Sequence, residues 1–193
     1  MLPASPDPRT AAMPEAIASY TTRVRGLWNT RHEIVADGTP LGVLAVVRNG
    51  MGVVVRGRYE PRRGEVLALR RDPGLLRSQF SLWTDAREWL GSSLRWSFVG
   101  REIALSTGSK PYRLVPIPGL RPGWRMVAPK TGELARITTS ALRRRSRIEV
   151  YRRVDFELVL FAYFLGWQLH LESLWPGREV EAEQGNAPTA SRA

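Results

Sequence analysis

Cysteine is absent from the 193 residues, which excludes a disulfide framework, a thiolate metal site and a thiol nucleophile. That fits a reducing compartment. Histidine occurs only as His32 and His170, and lysine only as Lys110 and Lys130. His170 falls inside an apolar stretch, where a hydrogen-bonded core or rim residue is expected rather than a base. No metal-ligand cluster, Gly-x-Ser-x-Gly elbow or P-loop can be read from the chain. Gly50-Met51-Gly52 has no helical pattern after it and reads as a turn. A non-enzymatic protein is expected, with no cofactor and no metal. The amino terminus, MLPASPDPRTAAMPEAIAS, lacks a basic start followed by an apolar run, so no signal peptide is expected.

Arginine is what the sequence has in quantity. The chain holds 29 basic and 18 acidic residues, for a net charge of +11. Residues 1–18 and 176–193 contain three of the basic residues and five of the acids, so the body between them carries 26 against 13. Such a body is drawn to polyanions, either an anionic membrane surface or nucleic acid. Arginine holds phosphate bidentately and stacks on aromatic rings, although GC-rich coding gives the same bias. A hydrophobic content of 43% and seven tryptophans mark a globular chain, and the length suits one domain.

The stretch Asp155–Trp175, DFELVLFAYFLGWQLHLESLW, organises the rest. From Leu158 to Trp167 it has no polar face, so a helix here must be enclosed by protein or by lipid. Twenty-one residues would span roughly 31 Å, but the uninterrupted apolar part is only ten, the length of a buried core helix rather than a membrane span. Asp155 suits an N-cap, Glu157 the first turn, and Pro176-Gly177 a stop. The expectation is a core helix over 155–175; the alternative is a tail anchor.

Residues 1–18, with four prolines, read as a flexible lead-in, and 176–193 as a disordered polar tail. Between them, short apolar segments alternate with turn signals every 8–12 residues. Strands are expected at His32–Ala36, Leu41–Arg48, Val53–Tyr59 and Val66–Arg71, with tight turns at Asp37-Gly38 and Asn49-Gly50. Residues 75–92 fit one short helix or two strands. Further strands are expected around Leu94, Trp96 and Phe98, at Ile103 and Leu105, and over Tyr112–Ile117, Trp124–Ala128, Leu134–Thr139 and Arg147–Tyr151.

This order, antiparallel strands followed by one nearly all-apolar helix, resembles the tubby C-terminal-like superfamily. That group includes the phospholipid scramblases and the LURP-one-related proteins. The residues that carry the resemblance are VDFELVLFAYFLGWQLHLESLW and the early hairpin HEIVADGTPLGVLAVVR. It implies a mainly β fold over residues 19–175: a closed antiparallel barrel of about 10–12 strands around the C-terminal helix. It also implies an anionic-phospholipid-binding module, cytoplasmic and peripheral at the membrane. One feature departs from the calcium-dependent members. The segment before the helix, LRRRSRIEVYRRVD, carries six arginines and only two acids, so no oxygen-rich calcium site can be built from it.

Two arginine groups are the candidate lipid- or phosphate-binding residues. In the hairpin Val53–Arg71, an even pairing sum, with the centre near Arg62-Arg63, puts Arg56, Arg58 and Arg70 on one face. Val53, Val55, Leu67 and Leu69 then fall on the other. The second group is Arg143, Arg144, Arg145, Arg147, Arg152 and Arg153, six arginines within eleven residues. Anionic phospholipid head groups are the expected partner. Nucleic acid is the alternative, with tryptophans available for stacking, and a structural or partner-binding domain is a third reading.

Overall fold

The turn signals and alternation of the sequence resolve into twelve strands and one helix. The computed structural model describes residues 15–50, 52–72, 79–94, 102–108, 110–118, 123–140 and 144–172, with side chains as far as 168. The strands are β1 (Ala18–Arg25), β2 (Thr30–Ala36), β3 (Thr39–Arg48), β4 (Val54–Pro61), β5 (Leu67–Arg71) and β6 (Phe80–Thr84). They continue as β7 (Trp89–Leu94), β8 (Ile103–Ser106), β9 (Pro111–Pro116), β10 (Gly123–Ala128), β11 (Gly132–Thr139) and β12 (Arg145–Val150). Each strand pairs antiparallel with its sequence neighbours, and β1 pairs with β12, so the sheet closes into a barrel with no free edge. Helix α1 (Phe156–Glu172) follows.

The helix lies within the barrel. Every residue from Leu158 to Gln168 is buried, and α1 meets side chains from widely separated strands. Phe156 packs against Tyr20 of β1 and Tyr59 of β4, Phe164 against Phe80 of β6, and Tyr163 against His32 of β2. On the remaining side Gly166 faces Trp124 of β10, where a Cβ would stand 2.7 Å from the indole, so only glycine admits that approach. The enclosing sheet accounts for a helix without a polar face. Among the described residues no helix is long and apolar enough to cross a membrane.

Local chemistry explains most boundaries. Asp37 and Gly38 both take positive φ, 46° and 79°, as a two-residue hairpin turn between twisted strands requires. Asn49-Gly50 does not form the tight turn expected of it. The connection runs from Asn49 to Val53, the Asn49 side chain accepts from the Val53 N–H at 2.9 Å, and Gly52 takes the positive φ. Of residues 75–92, left between helix and strands by their sequence, 79–92 contribute β6 and the start of β7, with Arg87 in the left-handed region at the turn, and 75–78 lie outside the described residues.

The lead-in expected over 1–18 gives way to β1 at Ala18. Residues 1–14, 173–175 and the expected tail at 176–193 lie outside the described residues, as does the strand continuation through Trp96 and Phe98.

The β4–β5 register differs in one respect from the alternation the sequence suggests. Arg56 pairs with Arg70 and Tyr59 with Leu67, an even register centred one half-step beyond Arg62-Arg63. The inner face of β4 is Val54, Gly57 and Tyr59, not Val53 and Val55. The cause is a β-bulge: Val47 pairs with Arg56 but Arg48 with Val54, so Val55 is the unmatched residue and the phase changes there.

Candidate functional site

Strand direction decides which arginines meet. β12 runs from the barrel end where α1 finishes to the end where α1 begins. Arg144, Arg145 and Arg147 are therefore at the first end, and Arg152 and Arg153 at the second, with Arg145 and Arg152 roughly 20 Å apart along an extended chain. The six-arginine run of the sequence is thus two groups; Arg143 lies outside the described residues.

Barrel closure adds arginines that the linear pattern does not connect. Arg23 of β1 is the direct Cα partner of Arg145, and Arg25 is the partner of Arg31 across β1 and β2. The Val24 N–H donates to the Arg144 carbonyl at 2.8 Å, tying the start of β12 to the end of β1. Further round the same outer surface, Arg56 stands opposite Arg70, and Arg58 lies two strands from Arg31 in the row Arg31, Ala45, Arg58. From β12 to β5 the basic arc spans five strand spacings, roughly 24 Å.

Arginines on β9 to β11 are paired with acids, whereas several in this arc, like Arg62, Arg63, Arg87, Arg152 and Arg153 elsewhere, have no ion-pair partner among the described residues. On β9 to β11, Arg136 donates to Glu133 at 2.7 Å, Arg125 reaches the same carboxylate at 3.9 Å, and Arg113 reaches Glu102 at 3.8 Å. Within the arc, Arg25 pairs with Glu33, Arg147 with Glu149, and Arg58 with Glu60 and Asp85. Arg23, Arg31, Arg56, Arg70, Arg144 and Arg145 have no ion-pair partner among the described residues, and all six are exposed. Like charges directly opposite on neighbouring strands are unfavourable. Guanidinium groups so placed are available to an external anion, and a phosphate can bridge two of them.

At the opposite end, a cleft of about 340 Å³ opens beside the start of α1. Lys110, Arg152 and Arg153 line it with Tyr20, Tyr112 and Asp155. Its one carboxylate offsets part of the positive charge. Among the described residues, no group of three or more His, Asp or Glu is placed to hold a metal ion.

The interior holds a polar group that the sequence reading passed over. His32 is buried; its Nδ1 lies 2.7 Å from the Tyr163 hydroxyl and its Nε2 lies 2.9 Å from Thr30 Oγ1. Thr22 donates to the Tyr163 oxygen at 3.0 Å, and Ser146 bonds the same hydroxyl, so His32, Tyr163, Thr22, Thr30 and Ser146 form one buried polar group. Burial and the nearby Arg48 guanidinium push the His32 pKa down to about 3, and burial pushes Tyr163 up to about 12. The signal for His32 was present: it shares strand parity with Ile34, which faces the core. The side chain of His170 lies outside the described residues.

This fixes a pH dependence. The His32 pKa is about 3 in the fold and about 6.5 unfolded, so the stability from burying the neutral ring is complete above pH 6.5. It is lost as pH falls through that value toward 3. From pH 7 to pH 5 the loss is roughly 2 kcal/mol. Chemical denaturation at the two pH values should show this difference, and His32→Gln should flatten the slope while lowering stability at pH 7.

Comparisons with known proteins add little beyond this geometry. No protein-family model matches the chain, and no curated protein matches it. Among solved structures, the chain is similar to an X-ray structure of a protein from Arabidopsis thaliana. The identity is 16% and the TM-score 0.48, over 82% of this chain and 93% of that one.

Proposed function

We propose that the protein is a non-enzymatic module that binds anionic phospholipid head groups at a membrane surface. The barrel end where α1 finishes would face the lipid. The observation that carries this reading is the juxtaposition of Arg23 with Arg145, beside Arg144 and Arg31, four exposed arginines without an ion pair among the described residues; Glu33, the Cα partner of Arg23 on β2, pairs with Arg25 and offsets one charge of the group. An anionic surface supplies the missing counter-charges, and each basic residue at such a surface contributes about 1 kcal/mol. The order of twelve strands followed by an enclosed helix supports likeness to the tubby C-terminal-like superfamily, and with it the lipid reading over the nucleic-acid one. Calcium-triggered activity is not part of the proposal, because the arginine-rich segment before the helix offers no oxygen-rich site.

Co-sedimentation with phosphatidylserine-containing and pure phosphatidylcholine vesicles tests this. Binding should be confined to the anionic vesicles and fall steeply with salt, since exposed charges are screened over about 10 Å at 0.1 M. Equal binding to both compositions, or to neither, would overturn the reading. Arg152→Gln/Arg153→Gln should bind within about twofold of the parent, because that pair lies more than a Debye length from the lipid-facing end. A large loss from this double variant would place the lipid at the cleft instead.

A further inference from the structure

The hairpin connection between β1 and β2, Gly26-Leu27-Trp28-Asn29, stands within the arginine arc, one strand from β12. Leu27 is 87% exposed and Trp28 48% exposed. The other large apolar side chains that stand exposed among the described residues, Ile17 and Trp89, lie at the opposite end of the barrel, where β1 and β7 begin. A single exposed leucine is ordinary; a leucine–tryptophan pair beside Arg25, Arg31 and Arg144 is a specific arrangement.

The connection is also held in shape. Gly26 takes φ +86°, and a Cβ there would stand 2.7 Å from the Asn29 carbonyl oxygen, so the chain turns tightly. The Asn29 side chain accepts the Arg48 N–H at 3.1 Å, which anchors the connection to β3. Arg25 and Arg31, Cα partners, close its base, and Arg144 adjoins through the Val24 bond.

Resting on the lipid reading above, we propose that Leu27 and Trp28 form a wedge. It enters the interfacial layer of an anionic bilayer while the surrounding arginines hold lipid phosphates. The chemistry of the two groups matches the two layers of a membrane surface. Guanidinium groups pair with phosphates, and tryptophan is favoured at the boundary between head groups and acyl chains. Five residues lie between Arg25 and Arg31, so the tip stands at most three residues, under roughly 10 Å, beyond that pair, comparable with the about 5–10 Å to which interfacial elements bury an apolar face. The arginines then set the charge preference and the wedge sets how long the protein stays.

The test uses the full chain with phosphatidylcholine–phosphatidylserine vesicles, with and without bromine on the acyl chains. The difference in emission between the parent and Trp28→Phe isolates the Trp28 signal from the other tryptophans. That signal should shift to the blue on binding and be quenched by the brominated chains. Leu27→Ser/Trp28→Ser should keep the cooperative melt of the parent, at a somewhat lower temperature because Trp28 is half covered. It should bind about thirtyfold more weakly, since only part of each side chain enters apolar surroundings, and lose the binding that survives at high salt. If it binds like the parent at every salt concentration, or if bromine leaves Trp28 unquenched, the wedge is wrong while the lipid reading stands. A parent that binds no anionic vesicle overturns both, and quenching of Trp28 by nucleic acid with none by vesicles assigns the pair to base stacking instead.

Discussion

Replacing Phe161 by Asp should abolish the fold. Phe161 is fully buried at the middle of α1, and its neighbours from Leu158 to Gln168 are buried as well, so no rotation of the helix offers the new charge a route to water. Burying an unpaired carboxylate costs at least several kcal/mol, and the carboxyl would in part take up a proton instead. Lost packing on the same side adds about 3 kcal/mol or more. Together these approach the whole stability of a domain, about 5–15 kcal/mol. Loss of the cooperative thermal transition and of near-ultraviolet dichroism is the expected result. A variant that melts within a few degrees of the parent would mean that the helix is not enclosed by the barrel.

That helix is also the part of the fold most legible in the sequence. A ten-residue stretch with no polar face has to be surrounded, and a sheet with that many turn signals can surround it. Hairpins marked by glycine were legible where a residue had to take positive φ, as at Asp37-Gly38. They were less so at Asn49, where the side chain bonds to the backbone and lengthens the connection. The bulge at Val55 was hidden because one unmatched residue reverses the inside–outside alternation without changing the apolar composition of the strand.

The candidate site was legible only in part, for a topological reason. The run Arg143 to Arg153 looks like one cluster in a linear reading, yet an extended strand carries Arg144 and Arg153 to opposite rims. Arg23 and Arg145 are far apart in the chain and become neighbours only because β1 pairs with β12. Nothing local in either segment signals that pairing. Closure of the barrel creates the surface.

The second large effect concerns that surface. Changing Arg23, Arg31, Arg144 and Arg145 to Gln should weaken binding to anionic vesicles by about 4 kcal/mol, roughly a thousandfold. These four are exposed and make no ion pair among the described residues, and Glu33, the Cα partner of Arg23, keeps its pair with Arg25, so no internal ion pair is broken. Removing the Arg23–Arg145 opposition relieves a like-charge contact, and thermal stability should hold or rise slightly. Isothermal titration with vesicles, beside a thermal melt, separates the two quantities. Binding within a fewfold of the parent would reduce the arc to a solvated face.

The most direct measurement of the central claim is a competition on a single preparation. The protein is bound to phosphatidylserine-containing vesicles at moderate salt, then challenged with an equal phosphate concentration of single- or double-stranded nucleic acid, and the pellet is assayed. The lipid reading predicts that the protein stays with the vesicles and that the four-arginine variant does not sediment. Transfer of the protein into the nucleic-acid fraction, or sedimentation of the variant equal to that of the parent, would contradict it.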